Sequence, residues 1–333
     1  MTKSCLITGA AGFIGHHLVE YLLKSTNWNL TVIDRLDSSG NLNRLADIGA
    51  AKNPRVRFVF HDLRAAFNEQ LMHHTGRHDY IVHMAAGTHV DRSIDDPMAF
   101  VLDNVVGTCN ILDFARRMGC ERFVYFSTDE VFGPASEGQA FKEWDRYKSA
   151  NPYAATKAGG EELALSYANT YGLPIVITHT MNVVGKRQHY EKFVPMVIGK
   201  VMRGEKVLIH SDKTKTKPGS RFYIDAASVA EAVHMLVTTK GTEGNKFNIV
   251  GREEIDNLTL AQNIAKYVGK PLIYELVDFH SSRPGHDLRY ALDGTVMREE
   301  FGFAPALDLA AIVEWYMNNP KWLAPDPVME FAA

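Results

Sequence analysis

Cysteine is scarce in this sequence: three in 333 residues, at Cys5, Cys109 and Cys120. Three cannot all pair and none sits in a C-x-x-C, which favours a reducing compartment and argues against structural zinc. No apolar run approaches the roughly 18 residues of a membrane span. A strand-like run starts at Lys3 and a glycine turn follows at Gly9, which leaves no room for a signal peptide. An excess of one charge is missing too, since 36 basic against 39 acidic residues give −3, so no basic field draws nucleic acid or anionic membrane. With 46% hydrophobic and 23% charged residues the composition is that of an ordinary globular protein, not of a disordered chain, a collagen or a disulfide mini-protein. The length fits two domains, or one large α/β domain with an annex. The expectation is a cytoplasmic enzyme without metal.

The first half alternates short apolar runs with longer helical patterns. The runs are Cys5-Leu6-Ile7, Leu30-Thr31-Val32-Ile33, Val56-Arg57-Phe58-Val59-Phe60, Tyr80-Ile81-Val82, Phe123-Val124-Tyr125-Phe126 and Ile175-Val176-Ile177. Each is β-branched or aromatic and little interrupted by charge, as parallel strands buried on both faces require. Between the first two, Phe13, Ile14, Leu18, Val19, Leu22 and Leu23 fall at helical spacing. This alternation predicts a Rossmann-like, doubly wound parallel sheet. After Asn182 glycine and proline punctuate more often, and Lys213–Lys217 reads as a solvated loop. A helix over Ala226–Val237 and a strand at Phe247-Asn248-Ile249 are expected to return to the first sheet. The boundaries expected are therefore 1–181, rejoined by 222–250, for a dinucleotide-binding domain. A smaller, discontinuous substrate domain takes 182–221 and 251–333.

Gly9-Ala10-Ala11-Gly12-Phe13-Ile14-Gly15 follows the first strand and opens the first helix. Gly9 permits the tight turn, Gly12 lets backbone approach a pyrophosphate, and Gly15 lets helix and strand pack closely. The helix N-terminus offers N–H donors to the phosphates. Asp34 ends the second strand, where an acid takes the adenosine ribose hydroxyls and repels a 2′-phosphate, so NAD is favoured over NADP. Arg35, next to it, could blunt that preference. Asp62, after the third strand, either meets the adenine or caps a helix.

Tyr153 and Lys157 form a Tyr-x-x-x-Lys pair on one helix face, behind Pro152 at the helix start. The lysine cation favours the phenolate, so the tyrosine can act as a base near neutral pH. The fifth strand ends in Ser127-Thr128-Asp129-Glu130, a hydroxyl and two carboxylates at the sheet edge where ligands bind.

These motifs resemble the extended short-chain dehydrogenase/reductases, and within them the nucleotide-sugar 4,6-dehydratases. The residues that carry the resemblance are GAAGFIG at 9–15, HMAAGTHVDRSI at 83–94, NVVGT at 104–108, STDEVFG at 127–133, PYAATKAGGEEL at 152–163 and RPGHDLRYALD at 283–293. The Thr-Asp-Glu trio is the most discriminating, because epimerases of the group usually carry small residues where Asp129 and Glu130 stand. The resemblance implies that Tyr153 takes the proton of the sugar 4-hydroxyl, tuned by Lys157, while Thr128 bonds the 4-oxygen. It implies that Glu130 removes the C5 proton and Asp129 protonates the departing 6-hydroxyl, which needs two carboxyls with opposed pKa demands. It adds Phe13, Ile14, Leu63 and Ala85 to the cofactor contacts. Thr88 and Asn182 are assigned to the sugar, Arg221 and Arg283 to the diphosphate, and Lys192 to the nucleotide. It further implies a homodimer through the Tyr153 helix and the helix after Asn104, with Ile111, Leu112, Phe114, Leu163 and Leu165 on packed faces; internal core packing explains these apolar residues equally well. Gly87, Val183, Val184, Phe222 and Asp225 depart from the family pattern where sugar or base should sit. The expected substrate is a nucleoside-diphosphate hexose, dTDP-glucose first, then UDP-glucose or a UDP-N-acetylhexosamine. The competing readings are a UDP-sugar 4-epimerase or decarboxylase, and a non-catalytic NAD or nucleotide-sugar sensor.

Overall fold

The computed structural model describes residues 2–37, 39–278 and 288–325. Seven parallel strands form the central sheet: β1 (Ser4–Thr8), β2 (Asn29–Asp34), β3 (Val56–Phe60), β4 (Tyr80–His83), β5 (Arg122–Thr128), β6 (Ile175–Thr180) and, last in this sheet, β11 (Lys246–Ile249). Their order is β11-β6-β5-β4-β1-β2-β3, so the chain leaves β1 in both directions, as a doubly wound sheet does. All six runs named above form strands, and Phe247-Asn248-Ile249 does return, pairing with Thr178-His179-Thr180 of β6. β3 departs from the expectation of two buried faces. It is an edge strand, and Phe58 and Phe60 remain exposed.

Helices cover both faces. α1 (Phe13–Ser25) packs on α9 (Ala226–Thr238), the predicted 226–237 helix. Leu18, Val19 and Leu22 of α1 and Val229, Val233 and Leu236 of α9 are wholly buried. Burying each such side chain contributes about 1.5–3 kcal/mol before chain entropy is counted. On the other face α6 (Gly107–Met118) and α7 (Pro152–Tyr171) pack together, with Ile111, Leu112 and Phe114 in an intramolecular core and Leu163 and Leu165 against it. Core packing therefore accounts for these five side chains. α5 (Pro97–Val101), a π-helical turn (Leu102–Val106) and α6 run on as one helix of 22 residues that is long and apolar enough to cross a membrane by length and composition. Its polar Asn104 and Thr108 are buried and bonded within the fold.

A second core joins α8 (Phe193–Arg203), α10 (Asn257–Val268) and a C-terminal helix, α12 (Leu309–Asn318). The sequence reading expected few strands here, but three two-stranded sheets are present: β7 (Val183–Val184) with β10 (Ile224–Asp225), β8 (Val207–Ser211) with β13 (Tyr274–Asp278), and β9 (Ser220–Phe222) with β12 (Glu254–Asp256). One further helix, α11 (Thr295–Phe301), lies in the stretch assigned to the substrate domain, yet Met297 and Phe303 pack into the first core.

Candidate active site

The carboxyl ends of the strands open into one cleft of about 350 Å³. It is lined by Gly9, Gly12, Phe13, Ile14, Gly15, Asp34, Asp62, Leu63, Ala85, Thr88, Thr128, Asp129, Glu130, Tyr153, Lys157, Asn182 and Lys192. Two of the expected site residues are not in that lining. Arg221 lies on β9 and not on the cleft wall: its guanidinium sits 4.8 Å from the Tyr290 ring centre and donates to the carbonyls of Ser220 and Leu288. Its charge nevertheless reaches the cleft, where it works against the rise of the Asp129 carboxyl pKa. Arg283 lies outside the described residues.

The glycine loop is built for close approach. Gly9 adopts φ +70°, which L side chains rarely adopt, and a Cβ on it would lie 2.7 Å from the backbone of Ala85. A Cβ on Gly15 would overlap the carbonyl oxygen of Gly9. Asp34 accepts from the amides of Ala11 at 3.0 Å and Leu36 at 2.9 Å, and so ties the end of β2 to this loop. Burial raises its carboxyl pKa against those two bonds. Bare backbone, a helix N-terminus and an acid beside the loop fit a dinucleotide: Gly12 would admit its pyrophosphate and Asp34 would take its adenosine ribose. Asp62 caps no helix: it accepts from the Arg64 amide at 3.0 Å in a local turn. Burial works to raise its pKa, but Arg64 and Arg35 hold it down at about 2.

Thr128 ends β5, whose seven residues are all buried, and Asp129 and Glu130 follow it directly. The Thr128 hydroxyl donates to Asp129 Oδ1 at 3.0 Å and accepts from the Glu130 amide at 3.3 Å. Asp129 Oδ2 is buried without a hydrogen-bond partner among the described residues. Burial, and then the charge of Glu130, pushes the Asp129 pKa up to about 7. Glu130 Oε2 accepts from Asn151 Nδ2 at 3.0 Å. The same Asn151 caps α7, accepting from the Ala154 amide at 2.8 Å, so one side chain fixes both Glu130 and the start of the Tyr153 helix.

Tyr153 and Lys157 face the cleft from the first two turns of α7. The expected lowering of the tyrosine pKa is not found here. Burial raises Tyr153 well above its usual value and Glu130 adds to the rise, while the Thr128 hydroxyl acts against it. Lys157 instead donates to the Phe126 carbonyl at 2.7 Å, and burial brings its own pKa down to about 7. A buried phenol among carboxylates stays protonated until a positive charge enters the cleft.

Two supports escaped the sequence reading. Asn104 bonds Gly87 through both its side-chain groups and donates to Thr156 Oγ1 at 2.9 Å, which joins the loop after β4 to α7. Glu161 is wholly buried, receives Ser127 Oγ at 2.5 Å, and lies 3.1 Å from His179 and 3.4 Å from Lys246. Tyr147 also donates to it. Burial alone would raise the Glu161 carboxyl, but His179, Lys246 and Ser127 hold it down at about 2. Its position four residues after Lys157 was the available signal, since an i, i+4 pair shares a helix face.

Fold and cleft together define a dinucleotide-binding α/β enzyme of the short-chain dehydrogenase/reductase kind. The chain belongs to the family described as GDP-mannose 4,6 dehydratase, whose model matches residues 6–315. It is similar to a dTDP-glucose 4,6-dehydratase of Streptomyces niveus, 38% identical over 330 residues, 96% of this chain and 94% of that protein. An Escherichia coli dTDP-glucose 4,6-dehydratase is 31% identical over 350 residues, covering 95% of this chain and 94% of its own length. Among solved structures, the dTDP-glucose 4,6-dehydratase DesIV of Streptomyces venezuelae, with NAD and TYD bound, superposes with a TM-score of 0.87 at 34% identity, over 97% of this chain and all of that one. A UDP-glucuronic acid 4-epimerase of Bacillus cereus, with UDP-glucuronic acid and NAD, gives 0.85 at 25% identity, over 96% of this chain and all of its own.

Proposed function

We propose that this chain is an NAD-dependent nucleoside-diphosphate-hexose 4,6-dehydratase acting on dTDP-glucose. The observation that carries the reading is the pair of adjacent carboxyls at the end of β5, one of them buried with a pKa near 7, opposite Tyr153 in the cleft. Dehydration needs an acid at the 6-oxygen and a base at C5, and Asp129 and Glu130 suit those two tasks. NAD⁺, held by the glycine loop and Asp34, supplies reversible uptake of the C4 hydrogen with its electron pair, a chemistry that no side chain offers.

The residues divide the proton traffic. Tyr153 takes the proton of the 4-hydroxyl as the phenolate, a form that the positive charge of bound NAD⁺ would favour, and Thr128, within reach of both Tyr153 and Asp129, orients the 4-oxygen. The 4-ketone acidifies the C5 hydrogen, and Glu130, steadied by Asn151, removes it as a proton. Asp129 delivers its proton to the 6-oxygen, which leaves as water. Asp129 needs no external proton source for this, because its burial keeps the acid form populated near pH 7. Lys157, tied to the Phe126 carbonyl, brings a positive charge to the cleft, and Glu161 opposes the loss of that charge.

Thr88, Asn182 and Lys192 line the same cleft and are offered as sugar and nucleotide contacts. We assign 1–181 with 222–250 to the dinucleotide-binding domain, and 182–221 with 251–333 to the nucleotide-sugar-binding domain. Function in the cytoplasm as a homodimer belongs to the same proposal; three unpaired cysteines support the reducing compartment. Incubation with a panel of nucleotide sugars, read by mass spectrometry, tests the reading: loss of one water from dTDP-glucose is expected. A 4-epimer of unchanged mass from a UDP-sugar would favour the epimerase alternative instead.

A further inference from the structure

Asp34 and Arg35 stand side by side at the end of β2 and demand opposite cofactors. An acid there suits ribose hydroxyls, and an arginine there suits a 2′-phosphate. The structure shows where Arg35 directs its donors. Its Nη1 donates to Asp103 Oδ1 at 2.5 Å and its Nη2 to Asp103 Oδ2 at 2.8 Å. Its Nε donates to Asp37 Oδ2 at 2.8 Å, Nη2 donates to the same oxygen, and Asp62 lies 3.5 Å from Nη1. The two-pronged contact with Asp103 is the geometry that a phosphate would otherwise receive.

Asp103 comes from the π-helical turn, 68 positions along the chain from Arg35. Its side chain is 11% exposed and Oδ2 is packed close over Gly87, where an added Cβ would approach it to 3.2 Å. The carboxylate is thus held in place, and a partly buried ion pair is little screened by salt. Asp34, Asp37, Asp62 and Asp103 line this end of the cleft against Arg35 and Arg64, so its formal charge is 2 − 4 = −2.

We propose that Asp103 is a cofactor-specificity residue: it occupies the Arg35 guanidinium and so denies a 2′-phosphate the cation that directly follows β2. The inference rests on the reading of this cleft as a dinucleotide site. It adds to the repulsion by Asp34 a second barrier that no glycine-loop motif contains. Without Asp103, the Arg35 fork faces the cleft with Asp37 as its remaining close partner.

The test exchanges purified holoenzyme against excess NAD⁺ and NADP⁺ in equal amounts and measures the retained dinucleotides by mass spectrometry. In Asp103→Asn the NADP share relative to NAD rises by about tenfold or more, the low end of coupling for a close charge pair. Adding Arg35→Leu to that variant cancels the rise. Arg35→Leu alone shifts the ratio by less than about twofold, because the guanidinium is already occupied. This single variant keeps the test decisive if Asp103→Asn folds poorly. A ratio in Asp103→Asn within about twofold of wild type overturns the inference, as does a shift of more than about fivefold against NADP in Arg35→Leu alone. Wild-type protein that retains neither dinucleotide overturns the cofactor reading itself, and the inference with it.

Discussion

Replacing Asp129 with asparagine changes charge and proton supply at almost constant volume, so its effects trace to the carboxyl alone. Burial and the neighbouring Glu130 carry the Asp129 pKa from 3.8 to about 7. At pH 7 that keeps roughly half of the carboxyl in the acid form, against roughly one part in a thousand at the ordinary value. Asparagine has no such proton to give, so water loss should slow by about 10²–10⁴-fold. The oxidised sugar, two hydrogens lighter than substrate, should then accumulate. Stability should move the other way. A carboxyl whose folded pKa lies above its unfolded value binds its proton more tightly in the folded state. The stability it contributes is therefore complete below about pH 4 and is lost as the pH rises through about 7. At about 1.36 kcal/mol per unit, the penalty approaches a ceiling of about 4 kcal/mol in alkaline buffer. Asp129→Asn escapes that penalty, so it should melt at a higher temperature than wild type near pH 8, and the gap should close towards about pH 4. Mass spectrometry of quenched reactions and melting curves over that range measure both arms. Dehydration at the wild-type rate would refute the acid role. Melting temperatures that track wild type at every pH would refute the raised pKa.

Glu130→Gln should oxidise C4 yet fail to exchange the C5 hydrogen with solvent deuterium, a defect of about 10²–10⁴-fold, and Tyr153→Phe should stop both events; exchange measured by mass spectrometry separates the two. Glu161→Gln removes the buried partner shared by His179, Lys246 and Ser127 and should destabilise the fold by about 3–5 kcal/mol, measured by denaturant unfolding; a loss below about 1 kcal/mol would contradict the network. Sedimentation at micromolar concentration should report a dimer, and a monomer would refute that part of the proposal.

The sheet was legible because each strand from β1 to β6 is a short apolar run whose β-branched and aromatic residues match burial between two helical layers. β3 misled on one point, since its sequence reads as buried but its place at the sheet edge leaves Phe60 in water. The glycine loop and Tyr153/Lys157 were legible because their chemistry is set by spacings of a few residues. The small sheets around β7, β8 and β9 were not. Their partners lie tens of residues away, and strands of two to five residues carry almost no periodicity. The same distance hid the Arg35–Asp103 pair. The tyrosine pKa was read from its lysine alone, and burial among carboxylates outweighed that neighbour.

The most direct measurement follows a deuterium placed at C4 of dTDP-glucose. The account predicts a product one water lighter that carries this label at C6 and one solvent-derived hydrogen at C5, because a single cleft oxidises at C4, eliminates across C5 and C6, and reduces at C6. A product of unchanged mass that keeps the label at C4 would contradict it.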